Sequence, residues 1–323
     1  MKNIAVYVPM NGVIEAITPA YRLFKTANDF LAMRGKPPAF QVFYTGLHTQ
    51  MAANDGEYQI NIHFTLEQAP KIDLLILPAI YGDIDTALRN NVKAYPWINA
   101  LYHEGTEIAS LCIGAFLLGE SGLANGRACS THWAFYDTFR ERYPHSEVVE
   151  GDIITENGRI YSSGGANSLW NLLLYLLEKY ADRDLAIQAA KFFAIDLDRK
   201  SQSPFTIFTG QKRHNDEDIL MIQQYIENNY AQKTTIDELA GMTSTSRRSL
   251  ERRFKNATNN TVVAYLQRVR IEAAKRSFEL SRKNVNEVMY EVGYSDVKAF
   301  RDVFKKVTGL TPIEYRSKYA TRN

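Results

Sequence analysis

Two cysteines in 323 residues, Cys112 and Cys129, are too few for a disulfide framework. No apolar run reaches the roughly 18 residues needed to span a bilayer. The first such run, Ile4-Ala5-Val6-Tyr7-Val8, is short and continues into a domain rather than ending at a cleavage site, unlike a secretory leader. Together these absences imply a reducing, cytoplasmic setting and no membrane partner. Excess charge of one sign is also missing, since the net charge is only +2. With 45% hydrophobic and 23% charged residues, the composition is that of an ordinary soluble protein, and the length suits two domains.

The near-neutral total hides a division. Residues 210–323 hold 21 basic and 14 acidic side chains, a net +7, whereas residues 1–209 hold 17 and 22, a net −5. An acidic half joined to a basic half suggests that only the second meets a polyanion, although charge alone sets little beyond non-specific affinity.

The first half alternates strands with helices. Residues 4–8, 73–78 and 107–111 are short, continuously apolar runs, as expected of strands covered on both faces. Helical patterns occupy 19–33, 85–102, 113–121 and 167–180. Residues 151–162 read as a hairpin with Asn157-Gly158 at its turn. Such alternation predicts a doubly wound, mostly parallel α/β sheet. Turn residues without a sustained period mark 196–214 as a linker between a first domain at 1–195 and a second at 215–323. No strand signal follows Asp216, so the second domain is expected to be all-helical.

In that domain Ile236, Leu239 and Ala240 form one apolar stripe, followed by the turn Thr243-Ser244-Thr245 and by Ser246, placed to cap a new helix. Leu250 and Phe254 face the core of that helix. Arg248, Glu251, Arg252 and Lys255 share the opposite face at i, i+3, i+4 and i+7, and Arg247 stands in the first turn, within reach of a phosphate or simply at the surface. A short helix, a tight turn and a second helix with a basic outer stripe make a helix-turn-helix, whose second helix enters the major groove of double-stranded DNA. The unit recurs. Val285, Val288 and Met289 repeat the stripe, Gly293 the turn and Asp296 the cap. Lys298, Arg301, Asp302 and Lys305 form the second outer face, and Glu238 and Glu287 correspond at a separation of 49. Between the copies, 262–280 reads as one amphipathic helix that would fix the spacing of two reading heads.

The runs Val-Asn-Glu-Val-Met-Tyr-Glu-Val-Gly-Tyr-Ser-Asp (285–296) and Phe-Arg-Asp-Val-Phe-Lys-Lys-Val-Thr-Gly-Leu-Thr-Pro-Ile-Glu-Tyr-Arg (300–316) resemble the AraC-family signature over roughly the last hundred residues. The resemblance implies two helix-turn-helix units on one linker helix, both facing an operator, and it admits RNA polymerase as a partner. This chain departs from the family in having Met289 where alanine is usual, Ser244 where the first turn usually has glycine, and Val262 near a usual proline. Asp302 stands where arginine is common, so the first unit is expected to contribute more binding energy than the second.

In the first half, Ser110-Leu111-Cys112-Ile113-Gly114-Ala115 reads as a strand running into a cysteine at which a helix begins. A helix start favours thiolate. With Ser130-Thr131-His132-Trp133 downstream, Pro19 after the first strand and Arg199-Lys200-Ser201-Gln202 near the end, this half resembles the PfpI-type, class I glutamine amidotransferase-like superfamily. In particular it is similar to the GlxA-like AraC regulators, which carry such a domain before the DNA reader. The resemblance implies a ligand pocket containing Glu15, Cys112 and His132, and a homodimer. His132 follows Cys112 by 20 residues, matching a non-proteolytic branch, and Ile113 occupies the histidine position of the proteolytic one. Cys112 reads as part of a pocket for an unidentified small-molecule effector, as a redox-sensitive thiol, or as the nucleophile of a Cys112–His132–Glu15 hydrolase or glyoxalase-like enzyme. Cys129 reads as a small core residue. No cofactor and no metal are expected.

Overall fold

The computed structural model describes residues 1–197 and 201–320, so Arg199 and Lys200 of the resemblance lie outside the described residues. The chain divides into two compact units, Met1–Gln202 and Ser203–Asn323.

The first unit contains the strands β1 (Lys2–Tyr7), β2 (Phe40–Gly46), β3 (Gln50–Ala53), β4 (Tyr58–Asn61), β5 (Phe64–Thr65), β6 (Leu74–Leu77), β7 (Glu107–Leu111), β8 (Ala128–Cys129), β9 (Glu147–Val148), β10 (Ile154–Asn157) and β11 (Ile160–Ser163). Its helices are α1 (Ile14–Met33), α2 (Ile84–Asn90), α3 (Tyr95–His103), α4 (Ala115–Glu120), α5 (Tyr136–Arg142), α6 (Leu169–Tyr180) and α7 (Arg183–Phe193). Seven strands form the main sheet in the order β10-β11-β7-β6-β1-β2-β5, parallel throughout except for the β10–β11 hairpin. Of the pair Asn157-Gly158 only Gly158 takes a positive φ, 64°.

The apolar runs are continuous because both faces are covered. Ile4, Val6 and Val8 enter a core shared with α1, α6 and α7, while Ala5 and Tyr7 enter another shared with α2 to α5. Leu74 and Ile76 divide from Leu75 and Leu77 in the same way. Each fully buried Leu or Ile removes apolar surface worth about 1.5–3 kcal/mol from water, so these strands fix the register of the sheet.

Two helices differ from the sequence expectation. Helix α1 begins at Ile14, with Pro19 inside it, because Asn54 Oδ1 accepts the Ile14 N–H (2.9 Å) and supplies the cap from outside the helix. The helical pattern over 85–102 is broken in two at Asn91. This fully buried amide accepts from Tyr7 Oη (2.8 Å) and the Met10 N–H (3.0 Å), and donates to the Met10 (2.9 Å) and Ala87 (2.8 Å) carbonyls.

The second unit, from Ser203, contains α8 (Glu217–Asn229), α9 (Ile236–Met242), α10 (Arg247–Thr258), α11 (Val262–Leu280), α12 (Val285–Glu291), α13 (Val297–Thr308) and α14 (Pro312–Tyr319). Its two cores are strung on α11: Tyr265 belongs to the first, with Leu250 and Phe254, and Ile271 and Phe278 to the second, with Phe300 and Phe304. Much of the stretch 196–214 is packed rather than extended. Gln202 is buried in the first unit, while in the second Lys275 Nζ donates to the Thr206 carbonyl and Phe208 lies edge-on to Tyr265. No helix among the described residues is long and apolar enough to cross a membrane.

Candidate functional site

Helices α9–α10 and α12–α13 are the two helix-turn-helix units, built by the same local rules. Thr235 and Glu238 close a capping box on α9, and Asn284 and Glu287 close one on α12. Ser246 accepts the Ser249 N–H (3.3 Å) at the start of α10, and Asp296 accepts the Ala299 N–H (2.6 Å) at the start of α13. The repeat extends beyond the two helix pairs. Thr258 and Thr308 each donate to the carbonyl four residues back, Asn259 and Gly309 each end a helix in the left-handed region, and Thr261 and Thr311 each cap the next helix. Tyr265 Oη donates to Glu227 (2.6 Å) and Tyr315 Oη to Glu279 (2.5 Å). Helix α11 therefore closes the first unit and opens the second. The correspondence is offset by 49 residues before the turn and by 50 after it, because the second turn is one residue longer. Both turns pass through a left-handed residue, Ser244 (φ 49°) in the first and Gly293 (φ 83°) in the second.

On α10, Arg248 and Arg252 are exposed and form no hydrogen bond or ion pair among the described residues, whereas the other cations are occupied. Arg247 lies 3.6 Å from Asp237 and 3.4 Å from Glu251, and Lys255 Nζ donates to the Asn259 carbonyl (2.7 Å). Arg253, absent from the expected set, turns inward to Asp216 and Asp218, which explains why it does not join the outer stripe. On α13, Lys298, Arg301 and Lys305 are exposed and unpaired among the described residues, as is Lys306, which the sequence reading passed over. Asp302 sits exposed at the position corresponding to Arg252.

In the first unit, Cys112 stands between β7 and α4 with φ 56°, a left-handed conformation that costs a non-glycine residue roughly 1–3 kcal/mol. The surroundings enforce it. The Cys112 N–H donates to Ser163 Oγ (3.4 Å), Thr131 Oγ1 donates to the Cys112 carbonyl (3.3 Å), and any Cβ on Gly114 would meet the Leu77 carbonyl oxygen at 2.3 Å. Burial pushes the Cys112 thiol up to about 12, against the smaller opposite pull of the Ile113 N–H. The expected thiolate-favouring effect of the helix start is therefore overridden by desolvation.

His132 is half-buried beside Trp133 and Phe135. Its Nδ1 accepts the Ala134 N–H (3.2 Å), which leaves the proton of the neutral ring on Nε2, and burial lowers its pKa. A ring in that state donates from Nε2 and is no base toward a thiol. Gln202 braces this loop, accepting the Trp133 N–H (3.2 Å) and donating to the Thr131 carbonyl (3.1 Å). Glu15 is exposed at the start of α1 and accepts from Asn54 Nδ2 (3.2 Å). Among the described residues no hydrogen bond joins Cys112, His132 and Glu15 to one another. Cys129 is buried in the core, its thiol likewise raised to about 12 by burial. Sequence reading quoted Thr131 and Gln202 only as parts of motifs and missed Ser163, which comes from the end of β11, some fifty residues beyond the elbow; the Gly164-Gly165 pair beside it was the available signal.

A doubly wound sheet with a cysteine elbow, followed by paired helix-turn-helix units, defines a two-part protein, an α/β unit joined to a DNA-reading one. The DJ-1/PfpI family model matches residues 13–179, and the chain belongs to that family. A helix-turn-helix domain model matches residues 239–318, and the second unit is of the AraC type. Among curated relatives, the HTH-type transcriptional regulator GbdR of Pseudomonas aeruginosa is 24% identical over 271 residues, covering 83% of this chain and 72% of its own. The HTH-type transcriptional regulator GlxA of Rhizobium meliloti is 20% identical over 232 residues, covering 72% and 71%. An AraC family transcriptional regulator from Pseudomonas putida, solved by crystallography, shares the fold over 60% of this chain and all of its own, with a TM-score of 0.52 and 18% identity.

Proposed function

We propose that this chain is a cytoplasmic, dimeric, DNA-binding regulator of transcription, and that a small-molecule effector bound beside Cys112 in the first unit controls operator binding. The observation that carries the DNA-reading half is the pair of capped recognition helices, each presenting unpaired exposed cations: Arg248 and Arg252 on α10, Lys298, Arg301 and Lys305 on α13. Cations left without an internal carboxylate are available to phosphates and base edges. The similarity to GbdR and GlxA over 83% and 72% of this chain supports a regulatory role for the combination.

The elbow supports binding rather than catalysis. A thiol that is neutral at pH 7, a histidine presenting N–H, and a carboxylate engaged elsewhere supply polar contacts to a ligand but no activated nucleophile. The ligand must prefer one arrangement of the protein, because equal affinity for two shifts neither.

Selection of genomic fragments by the purified protein, followed by titration of the enriched site at several salt concentrations, tests this reading. A recurrent site bound far more tightly than bulk DNA is expected. Uniform, salt-sensitive binding with no enriched site would refute it. Cys112→Ala separates the enzyme rival, since a regulator keeps operator binding whereas a hydrolase loses all turnover.

A further inference from the structure

A second place in the first unit has the features of a binding site, and it lies away from the cysteine elbow. A cavity of about 560 Å³ opens beyond the carboxyl ends of β1, β2 and β5. Its apolar wall includes Met10, Leu47, Leu66 and Trp97, and its rim carries Arg89, Lys93 and His48. Cys112, His132 and Glu15 are not among the residues lining it. The volume suits a small metabolite, since ligand cavities run about 300–1,000 Å³. The cavity lies at the carboxyl ends of the strands, next to the β1–β6 pair at which the strand order reverses and on the β2 side of it.

The walls are braced by hydrogen bonds, and no cation on the rim makes a direct ion pair among the described residues. Asn91 breaks the chain between α2 and α3, so that Arg89, Lys93 and Trp97 come from separate short elements above the strand ends. The same amide holds Met10 in place on the opposite side. Among the described residues Lys93 and His48 have no hydrogen bond or ion pair, whereas Arg89 donates to Thr86 Oγ1 (2.9 Å), whose hydroxyl donates to Asp83 Oδ1 (2.7 Å), so that Arg89 feels that carboxylate at one remove without a direct ion pair. One acidic residue, Glu67, also lines the cavity. In a half of the chain that is net negative, three cations without a direct carboxylate partner among the described residues, gathered on one apolar hollow, are a specific feature rather than a background one.

We infer that this cavity binds a small organic anion, its carboxylate or phosphate held by Arg89 and Lys93 and its apolar body set against Trp97 and Met10. The inference concerns the first unit alone and stands whether or not the elbow binds an effector.

Calorimetric titration of the full chain with phenylacetate, hexanoate and hexyl phosphate, alongside tryptophan emission, tests it. At least one probe should bind saturably and perturb the emission, and the neutral phenylacetamide should not bind. Lys93→Gln and Arg89→Gln should each weaken the bound probe about tenfold, as expected for a charge-assisted hydrogen bond. Glu67→Gln should tighten it several-fold by removing a like charge. Failure of all three probes, equal binding of phenylacetamide, or inorganic phosphate binding as tightly as the organic anions would overturn the proposal. Weaker binding in Glu67→Gln would also overturn it, since the ligand would then carry a cation for that carboxylate. Fragment binding by the DNA-reading unit, measured on the same samples, distinguishes failure of this site from failure of the regulatory reading.

Discussion

The two helix-turn-helix units share their caps, their tyrosine–glutamate bonds and their helix lengths, yet they spend their charges differently. The first commits Arg247 to Asp237 and Glu251, Lys255 to its own helix end and Arg253 to Asp216, leaving Arg248 and Arg252 free. The second leaves Lys298, Arg301 and Lys305 free but places Asp302 where the first has Arg252. The first thus offers two planar guanidinium forks suited to bidentate reading of guanine. The second offers more point charge for phosphate and one repulsive carboxylate. Duplication preserved the scaffold and let the reading surfaces diverge.

The turns give the sharpest test of that divergence. A side chain on Gly293 would meet the Ala231 carbonyl oxygen at 2.4 Å, in a left-handed conformation. Gly293→Ser is therefore expected to cost roughly 2–4 kcal/mol in chemical denaturation, from strain plus overpacking. A neutral outcome would mean that the two turns are interchangeable.

Next in size, Arg252→Ala should weaken operator binding by about 1–3 kcal/mol, as for loss of a bidentate base contact, and relax specificity at one position. Lys298→Ala should cost less and act evenly across sequences. Equal losses would break the ranking of the two units. Asp302→Asn should strengthen binding a few-fold, most visibly at low salt, because a carboxylate beside phosphate is repelled. No gain would place Asp302 against a base edge that it reads.

Acid separates the units more gently. The Arg253 guanidinium holds the Asp216 carboxyl below its ordinary range, and Val303 occupies the position corresponding to Arg253 in the second unit. A carboxylate with a lowered folded pKa stabilises above its unfolded value, about 3.9, and that stability is lost as pH falls through the lower folded value. Asp216→Asn should therefore lower the melting temperature at pH 7, and the difference from the parent should shrink as the pH falls below the ordinary carboxylate range. The smallest effect belongs to Ser244→Gly. Relief of the left-handed strain, partly offset by the freedom of glycine in the unfolded chain, should stabilise by roughly 0.5 kcal/mol.

The legible parts of the sequence were those where one rule acted alone. β1, β6 and β7 are buried on both faces, so their apolar runs are unbroken. β2 was missed because Gln41 and Tyr44 interrupt Phe40–Gly46, and the pairs β3–β4 and β8–β9 are too short to show a period. The break at Asn91 was hidden because its cause, bonds to Tyr7 and Met10, lies some eighty residues away. At the DNA surface the stripes were readable from helical spacing. Which cations are spent internally was not, since Arg253 is satisfied by Asp216 and Asp218 at the start of α8, and Arg247 by Asp237 on α9 as well as by Glu251 on its own helix.

Because α11 belongs to both units without interruption, it acts as a torsional gauge between them. Its 19 residues span about 28 Å, and each residue carries about 100° of rotation and 1.5 Å of rise. One inserted residue between Leu266 and Ile271 would swing the second recognition helix about 100° out of phase with the first. A whole added turn would restore the direction but displace the reading helix by about 5.4 Å, far short of the roughly 34 Å over which a duplex repeats its groove. The length of α11 and the spacing of the two half-sites are thus locked together, and neither can drift by small steps without the other.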